Sequence, residues 1–146
     1  MSVAPIPESD TAAQGDTGTF HGRSLEASLT VRDLEKSLAW YHDVLGFAID
    51  RRYEREGKLI AVALRGGNVR LLIGQDDGAK GWDRTKGEGI SLQITTEQNV
   101  DEIAGRIQAR GGALALGPTD SPWGTRMFRL QDPDGFKLTI SSGRPA

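Results

Sequence analysis

The chain has no cysteine, which excludes disulfides, thiolate metal centres and cysteine nucleophiles alike. It has only two histidines, His21 and His42, so imidazole is scarce for binding a metal or moving a proton. Aromatic residues make up 6% of the 146 residues, three of them tryptophans, so few large flat side chains exist to wall a site. No apolar run approaches the roughly 20 residues that span a bilayer, and the N-terminus has neither the basic start nor the apolar stretch of a signal peptide. No charge sign dominates: 18 basic and 20 acidic side chains give a net charge of −2, with no long basic tract. A nucleic-acid footprint needs a basic excess that is missing here. No nucleophile elbow, phosphate-cradling glycine loop or zinc-type His-Glu pair occurs. The expectation is a cytoplasmic protein with neither a nucleic-acid nor a membrane partner.

What is present is a repeated order of elements. Residues 1–23 are rich in Pro, Ser, Thr, Gly and Asp, with few large apolar side chains. Such a segment buries too little surface to offset its ordering entropy, and a disordered tail is expected. From there to residue 146 a single domain is expected, built of modules at about 24–74 and 88–142. Leu25, Ala27, Leu29 and Val31 alternate with Glu26, Ser28 and Thr30, the pattern of a strand with one apolar face. Asp33 suits an N-cap, Leu34, Leu38, Tyr41 and Leu45 follow at helical spacing, and Gly46 suits a C-cap. Strands are expected at Phe47–Glu54, Leu59–Leu64 and Val69–Ile73. A polar linker from Gln75 to Glu88 contains Trp82. The order then recurs: a strand around Ile90, Leu92 and Ile94, a helix carrying Val100, Ile103 and Ile107, then strands at Ala113–Leu116, Thr125–Leu130 and Phe136–Ile140. Pro118, Pro122 and Asp132-Pro133-Asp134-Gly135 are taken as breaks. The pattern is βαβββ twice, an α+β chain with an internal duplication.

The run Val31-Arg32-Asp33-Leu34-Glu35-Lys36-Ser37, then Trp40-Tyr41-His42-Asp43-Val44-Leu45-Gly46-Phe47, resembles the first half of the vicinal oxygen chelate superfamily. Pro122-Trp123-Gly124-Thr125-Arg126 leading into Asp132-Pro133-Asp134-Gly135 resembles its second half. That superfamily includes glyoxalase I, bleomycin-resistance proteins, extradiol dioxygenases and fosfomycin-resistance enzymes. The resemblance covers about Leu25 to Ser141. It implies two βαβββ modules forming an open half-barrel cleft, often within a homodimer. In metal-dependent members four strand positions supply His and Glu ligands, and here they are held by Glu26, a residue of the 69–73 strand (Arg70 or Leu72), Gly89 and Thr139. A divalent ion takes four to six donors and a catalytic zinc site usually three side chains, so no metal and no cofactor are expected.

Alternation assigns Glu26, Ser28, Thr30, Arg70, Leu72, Ser91, Gln93, Lys137 and Thr139 to the cavity side. Trp82 and Trp123 are expected as aromatic walls at its rim, with pinning of the Pro122-Trp123-Gly124 turn as the alternative for Trp123. Trp40 is read as packing. Arg126 is read as a brace for the Asp132 turn, with an anion anchor as the alternative. Glu26 has two readings, a solvated or Arg70-paired carboxylate and a ligand anchor or general base. The functional expectation is a metal-independent small-molecule binder of the bleomycin-resistance type, taking an aromatic or cationic, antibiotic-like ligand. The alternative is a superfamily enzyme, of lyase, isomerase or dioxygenase type, using Glu26 as base or an atypical metal site.

Overall fold

The computed structural model describes residues 18–143. Most of the expected tail, residues 1–17, lies outside the described residues, as do residues 144–146. The first module runs β1 (Ala27–Val31), α1 (Leu34–Ala39), β2 (Ala48–Arg55), β3 (Lys58–Gly66) and β4 (Val69–Gln75). The second runs β5 (Ser91–Thr96), α2 (Val100–Ala109), β6 (Leu116–Asp120), β7 (Arg126–Gln131) and β8 (Lys137–Ser142). Each forms an open four-stranded mixed sheet, in the orders β1-β4-β3-β2 and β5-β8-β7-β6. The expected α+β duplication is therefore the observed fold.

The duplication extends to register. β1 pairs with β4 in parallel and β5 with β8 in parallel, while the remaining pairs are antiparallel. A parallel pair needs a crossover rather than a hairpin. Here the helix and two strands of each module supply it. Leu29, Val31, Leu71, Ile73, Val62 and Leu64 of the first sheet join Phe128, Leu130, Leu138 and Ile140 of the second in one buried cluster. The helices cover that side of each sheet, leaving the opposite side free of helix.

Asp33 caps α1 as expected, its side chain accepting the Lys36 N–H at 3.2 Å. After Ala39 the helix widens into a π-helical turn over Trp40–Val44, and Gly46 ends it at φ +97°. Tyr41 is thereby fully buried, while His42 and Asp43 face outward. One expected strand is displaced. The sequence suggested Ala113–Leu116 with a break at Pro118, yet β6 occupies Leu116–Asp120 and includes that proline. β6 is an edge strand, where a missing N–H costs no ladder bond, and a bulge between Leu116 and Thr119 accommodates the ring.

The modules are clamped by polar groups. Tyr41 donates from its hydroxyl to Asp132 Oδ2 at 2.7 Å. Asp132 Oδ1 accepts the Asp134 and Phe136 N–H groups at 2.9 Å each. Burial raises the Asp132 carboxyl pKa, against the lowering effect of those hydrogen bonds. The Tyr41 hydroxyl is pushed far up by burial first, then by the Asp132 charge. Asp134 Oδ2 accepts the Arg32 N–H at 2.8 Å. Lys86 Nζ, almost buried, lies 2.8 Å from Asp76 Oδ2 and 3.4 Å from Asp134 Oδ2. Asp76 is held well below the usual carboxylate range by Lys86, the Gly78 N–H and Arg84. The segment read as a plain linker thus carries the cation that ties the end of β4 to the Asp-Pro-Asp-Gly turn.

Candidate functional site

Register fixes which side chains share the helix-free faces. In the first sheet Ser28 pairs with Leu72, Leu72 with Ala63 and Ala63 with Arg51. The neighbouring row is Thr30, Gly74, Ala61 and Tyr53, and the next holds Arg70 and Arg65. Directly opposed residues point the same way, so this face has a floor of small side chains with Arg51, Arg65 and Arg70 around it. Glu26 immediately precedes β1, exposed and one position beyond the Ala27–Leu71 pair. In the second sheet Ser91 pairs with Lys137, Gln93 with Thr139 and Thr95 with Ser141. Gln131, Arg129 and Met127 of β7 continue these rows. This face is polar and mostly uncharged, and Thr139 is buried beneath its neighbours.

The structure therefore brings Ser28, Thr30, Arg70 and Leu72 to one helix-free face and Ser91, Gln93, Lys137 and Thr139 to the other. The opposite choice in β4, Val69 and Leu71, lies on the helix side with Ile73. Glu26 and Arg70 make no ion pair or side-chain hydrogen bond among the described residues, so Glu26 is the solvated carboxylate, not the Arg70-paired one. Arg51, Tyr53, Ala61, Ala63, Arg65 and Arg129 belong to these faces too, and the sequence did not single them out. Alternation could not place β3, whose Leu59 to Leu64 are apolar on both sides, and the bulge between Ile49 and Arg51 hides the parity of β2.

Neither tryptophan of the expected rim lies among these rows. Trp82 leans on Gly78, where an added Cβ would stand 2.5 Å from the indole. It lines a cavity of about 640 Å³ with Arg32, Lys36, Gln75 and Asp134, at the start of α1. Trp123 is 40% exposed in the tight turn between β6 and β7, where the Ser121 N–H bonds to Thr125 O at 2.7 Å. Trp40 packs edge-on against Tyr41, ring centroids 4.8 Å apart, as expected for a packing residue. Arg126 neither braces the Asp132 turn nor stands free. It grips Asp101 of α2 through Nε and Nη2 at 3.1 and 3.0 Å, and Asp120 of β6 at 3.3 Å.

The residues at the superfamily's metal positions do not form a donor set. Glu26 offers a carboxylate, Arg70 a cation, Leu72 and Gly89 no donor side chain, and Thr139 a buried hydroxyl. Among the described residues no three His, Asp or Glu side chains gather around one point. Pairing copies of the chain would combine the same deficient set, because each position keeps the same residue.

No helix among the described residues is long and apolar enough to cross a membrane. The chain is 26% identical to the catechol-2,3-dioxygenase of Bacillus subtilis over 122 residues, which is 82% of this chain and 41% of that protein. It therefore spans less than half of that relative. It is also 26% identical over 123 residues to a probable lactoylglutathione lyase of Synechocystis, covering 80% of this chain and 92% of that one. A solved glyoxalase/bleomycin resistance protein from Streptomyces sp. CB03234 superposes with a TM-score of 0.61 at 25% identity, over 80% of this chain and 97% of that one. The family model of the Glyoxalase/Bleomycin resistance protein/Dioxygenase superfamily matches residues 23–140. Two like modules in like register, with that match along nearly all of both, place the chain in the glyoxalase/bleomycin resistance/dioxygenase superfamily.

Proposed function

We propose that this chain binds a small molecule against its helix-free sheet faces and does so without the divalent ion of its metal-dependent relatives. The observation that supports this most is the pairing of the two faces' chemistry with the unsuitable set at Glu26, Arg70, Gly89 and Thr139. Small side chains at Ser28, Ala61, Ala63 and Gly74 leave room for a ligand, and Gln93, Ser91 and Thr139 offer hydrogen bonds. Arg51, Arg65, Arg70, Arg129 and Lys137 outnumber the acids Glu26, Glu54 and Asp50 at these faces, Asp50 lying 3.8 Å from Arg65. The ligand is accordingly rich in acceptors or anionic, rather than cationic as Glu26 alone suggested. Two copies would bring the first face of one chain over the second face of the other, making a homodimer the working unit.

The test is a denaturation-midpoint screen with aromatic carboxylates and aromatic amines, run beside metal analysis of the purified protein. Carboxylates should raise the midpoint, Ser28→Trp should abolish the rise by filling the floor, and transition metal should stay far below one equivalent per chain. Near-stoichiometric metal, or a preference for amines, would overturn the proposal. A single monomeric species in light scattering would remove the dimer from it.

An acid–base enzyme is the second reading, favoured by the Glu26 carboxylate having no ion-pair or side-chain hydrogen-bond partner among the described residues. There Glu26 takes a proton next to a carbonyl while Arg70 steadies the oxygen. Glu26→Gln separates the two readings. A binder changes only in affinity, whereas an enzyme loses turnover and keeps affinity.

A further inference from the structure

A different part of the molecule has the features of a binding site, on the side away from the faces just described. An open groove of about 710 Å³ runs between the π-helical turn of the first module and α2 of the second. Ile103, Ile107, Leu45 and Phe47 form its apolar part, and Arg106 and Arg110 stand over it. The two arginines are four residues apart on α2 and so share one face. Neither makes an ion pair or a side-chain hydrogen bond among the described residues. A guanidinium nitrogen of Arg110 lies 3.3 Å from where a Cβ on Gly46 would be, so it rests over bare backbone.

Two further features fit this groove to a ligand. His42 is committed through Nδ1 to Phe47 O at 2.7 Å, which leaves Nε2 facing outward. The carboxylate that lines the groove, Asp43, lies 3.9 Å from that Nε2 and pairs with neither arginine. The groove continues into an apolar slot of about 160 Å³ reaching Val69, Ile94 and Ile140, between the helix-bearing sides of the two sheets. Nearby, Gly112 lets the two modules approach closely, since a Cβ there would stand 2.7 Å from Val44 and 2.5 Å from Ile107. The turn that presents His42 and Asp43 is π-helical, a local distortion frequent at functional sites.

The geometry points to a second binding site, for an amphipathic carboxylate whose head meets Arg106 and Arg110 and whose apolar tail enters the slot between the modules. Paired guanidinium groups suit a carboxylate because they offer forked donors to two oxygens. An apolar slot beyond them selects a tail over a small hydrophilic anion. Both modules line the site, so its occupant holds them together and raises their common stability.

The test uses the full chain with octanoate, octan-1-ol and octylammonium in isothermal titration calorimetry. Octanoate should bind, octan-1-ol about tenfold more weakly through loss of the charged hydrogen bonds, and octylammonium weakest of all. Arg106→Gln with Arg110→Gln should cost octanoate about tenfold or more while leaving the denaturation midpoint unchanged. Ile94→Trp, aimed at the slot, should block the tail. If that variant fails to fold, octanoate-induced NMR shifts at the Ile94, Ile103 and Ile140 methyl groups replace it, and their absence would overturn the site. So would no octanoate binding, equal affinity for octylammonium, or an arginine double variant that keeps full affinity. A change of oligomeric state in that double variant, without any octanoate binding, would assign the groove to a second copy of the chain and likewise overturn the proposal.

Discussion

The two modules share a topology and a register at their parallel strand pairs, yet they diverge everywhere else. β1–β4 and β5–β8 match position for position in kind. The outer hairpin is long in the first module, with strands of eight and nine residues, and short in the second, where β6 has five. α2 is a regular ten-residue helix capped by Asn99, whereas α1 has six residues before its π-helical turn. The inner pair carries the core and cannot drift without moving every side chain to the wrong face. The outer strands and helix ends face solvent or the other module, and there each copy has acquired its own chemistry: three arginines over small side chains on the first open face, mostly uncharged donors with Arg129 and Lys137 on the second.

If the modules form one cooperative body, damage to either core should lower the same transition. Phe128→Ala is expected to cost about 3–5 kcal/mol and Leu64→Ala, in the core of the first sheet, about 2–5 kcal/mol. Both residues are essentially fully buried. Denaturant unfolding of each variant should show a single shifted transition. Two separated transitions would break the comparison and make the modules independent.

The junction should come next in magnitude. Tyr41→Phe removes the hydroxyl that serves Asp132 and should cost about 1–3 kcal/mol by the same measurement. Gly112→Ala forces a methyl to within 2.5 Å of Ile107 Cγ2 and should cost about 1–3 kcal/mol as an overpacking change. An unaffected Gly112→Ala variant would mean that α2 and the π-helical turn can separate freely.

Opposite pH responses sharpen the contrast. The folded value of Asp132 is raised, so its contribution is full below the ordinary carboxylate pKa of about 3.9 and is lost as pH rises through the folded value. That of Asp76 is lowered, so its contribution is present above about 3.9 and is lost as pH falls toward the folded value. Asp132→Asn should therefore flatten the decline of stability on the alkaline side of that value, and Asp76→Asn the decline on the acid side. Melting curves from acid to neutral pH would show both, and the same slope in both variants would refute the assignment. The smallest effect is expected at Arg126→Gln. Its partners Asp101 and Asp120 are exposed, and surface pairs contribute little. A change beyond the scatter of repeated melting curves would show that α2 depends on this clasp.

Much of the fold was legible because the chain alternates cleanly where one sheet face is wet. β1, β5 and β8 follow the pattern of Ser28, Gln93 and Thr139 against Leu29, Ile94 and Leu138. Asp33 as a cap and Gly46 as a stop were readable because each acts within its own turn of chain. β6 was misplaced because Pro118 was read as a break, although an edge strand tolerates it. Of the candidate site, only residues on alternating strands could be assigned a face. Trp82 was expected over the sheets, but a polar linker gives no periodicity from which its direction could be inferred.

The sequence by itself determined the duplication, the inner strand pairs and the side of each sheet that Ser28, Thr30, Arg70, Leu72, Ser91, Gln93, Lys137 and Thr139 occupy. Period-two burial fixes these locally, whatever the modules do to each other. The tertiary structure alone decided that Lys86 bridges Asp76 and Asp134, that Arg126 holds Asp101 and Asp120, and that Arg106 and Arg110 stand over the groove between α2 and the π-helical turn. Docking of two separately patterned modules sets the Lys86 bridge and the arginine groove, and packing of α2 against its own sheet sets the Arg126 clasp. No local pattern encodes either.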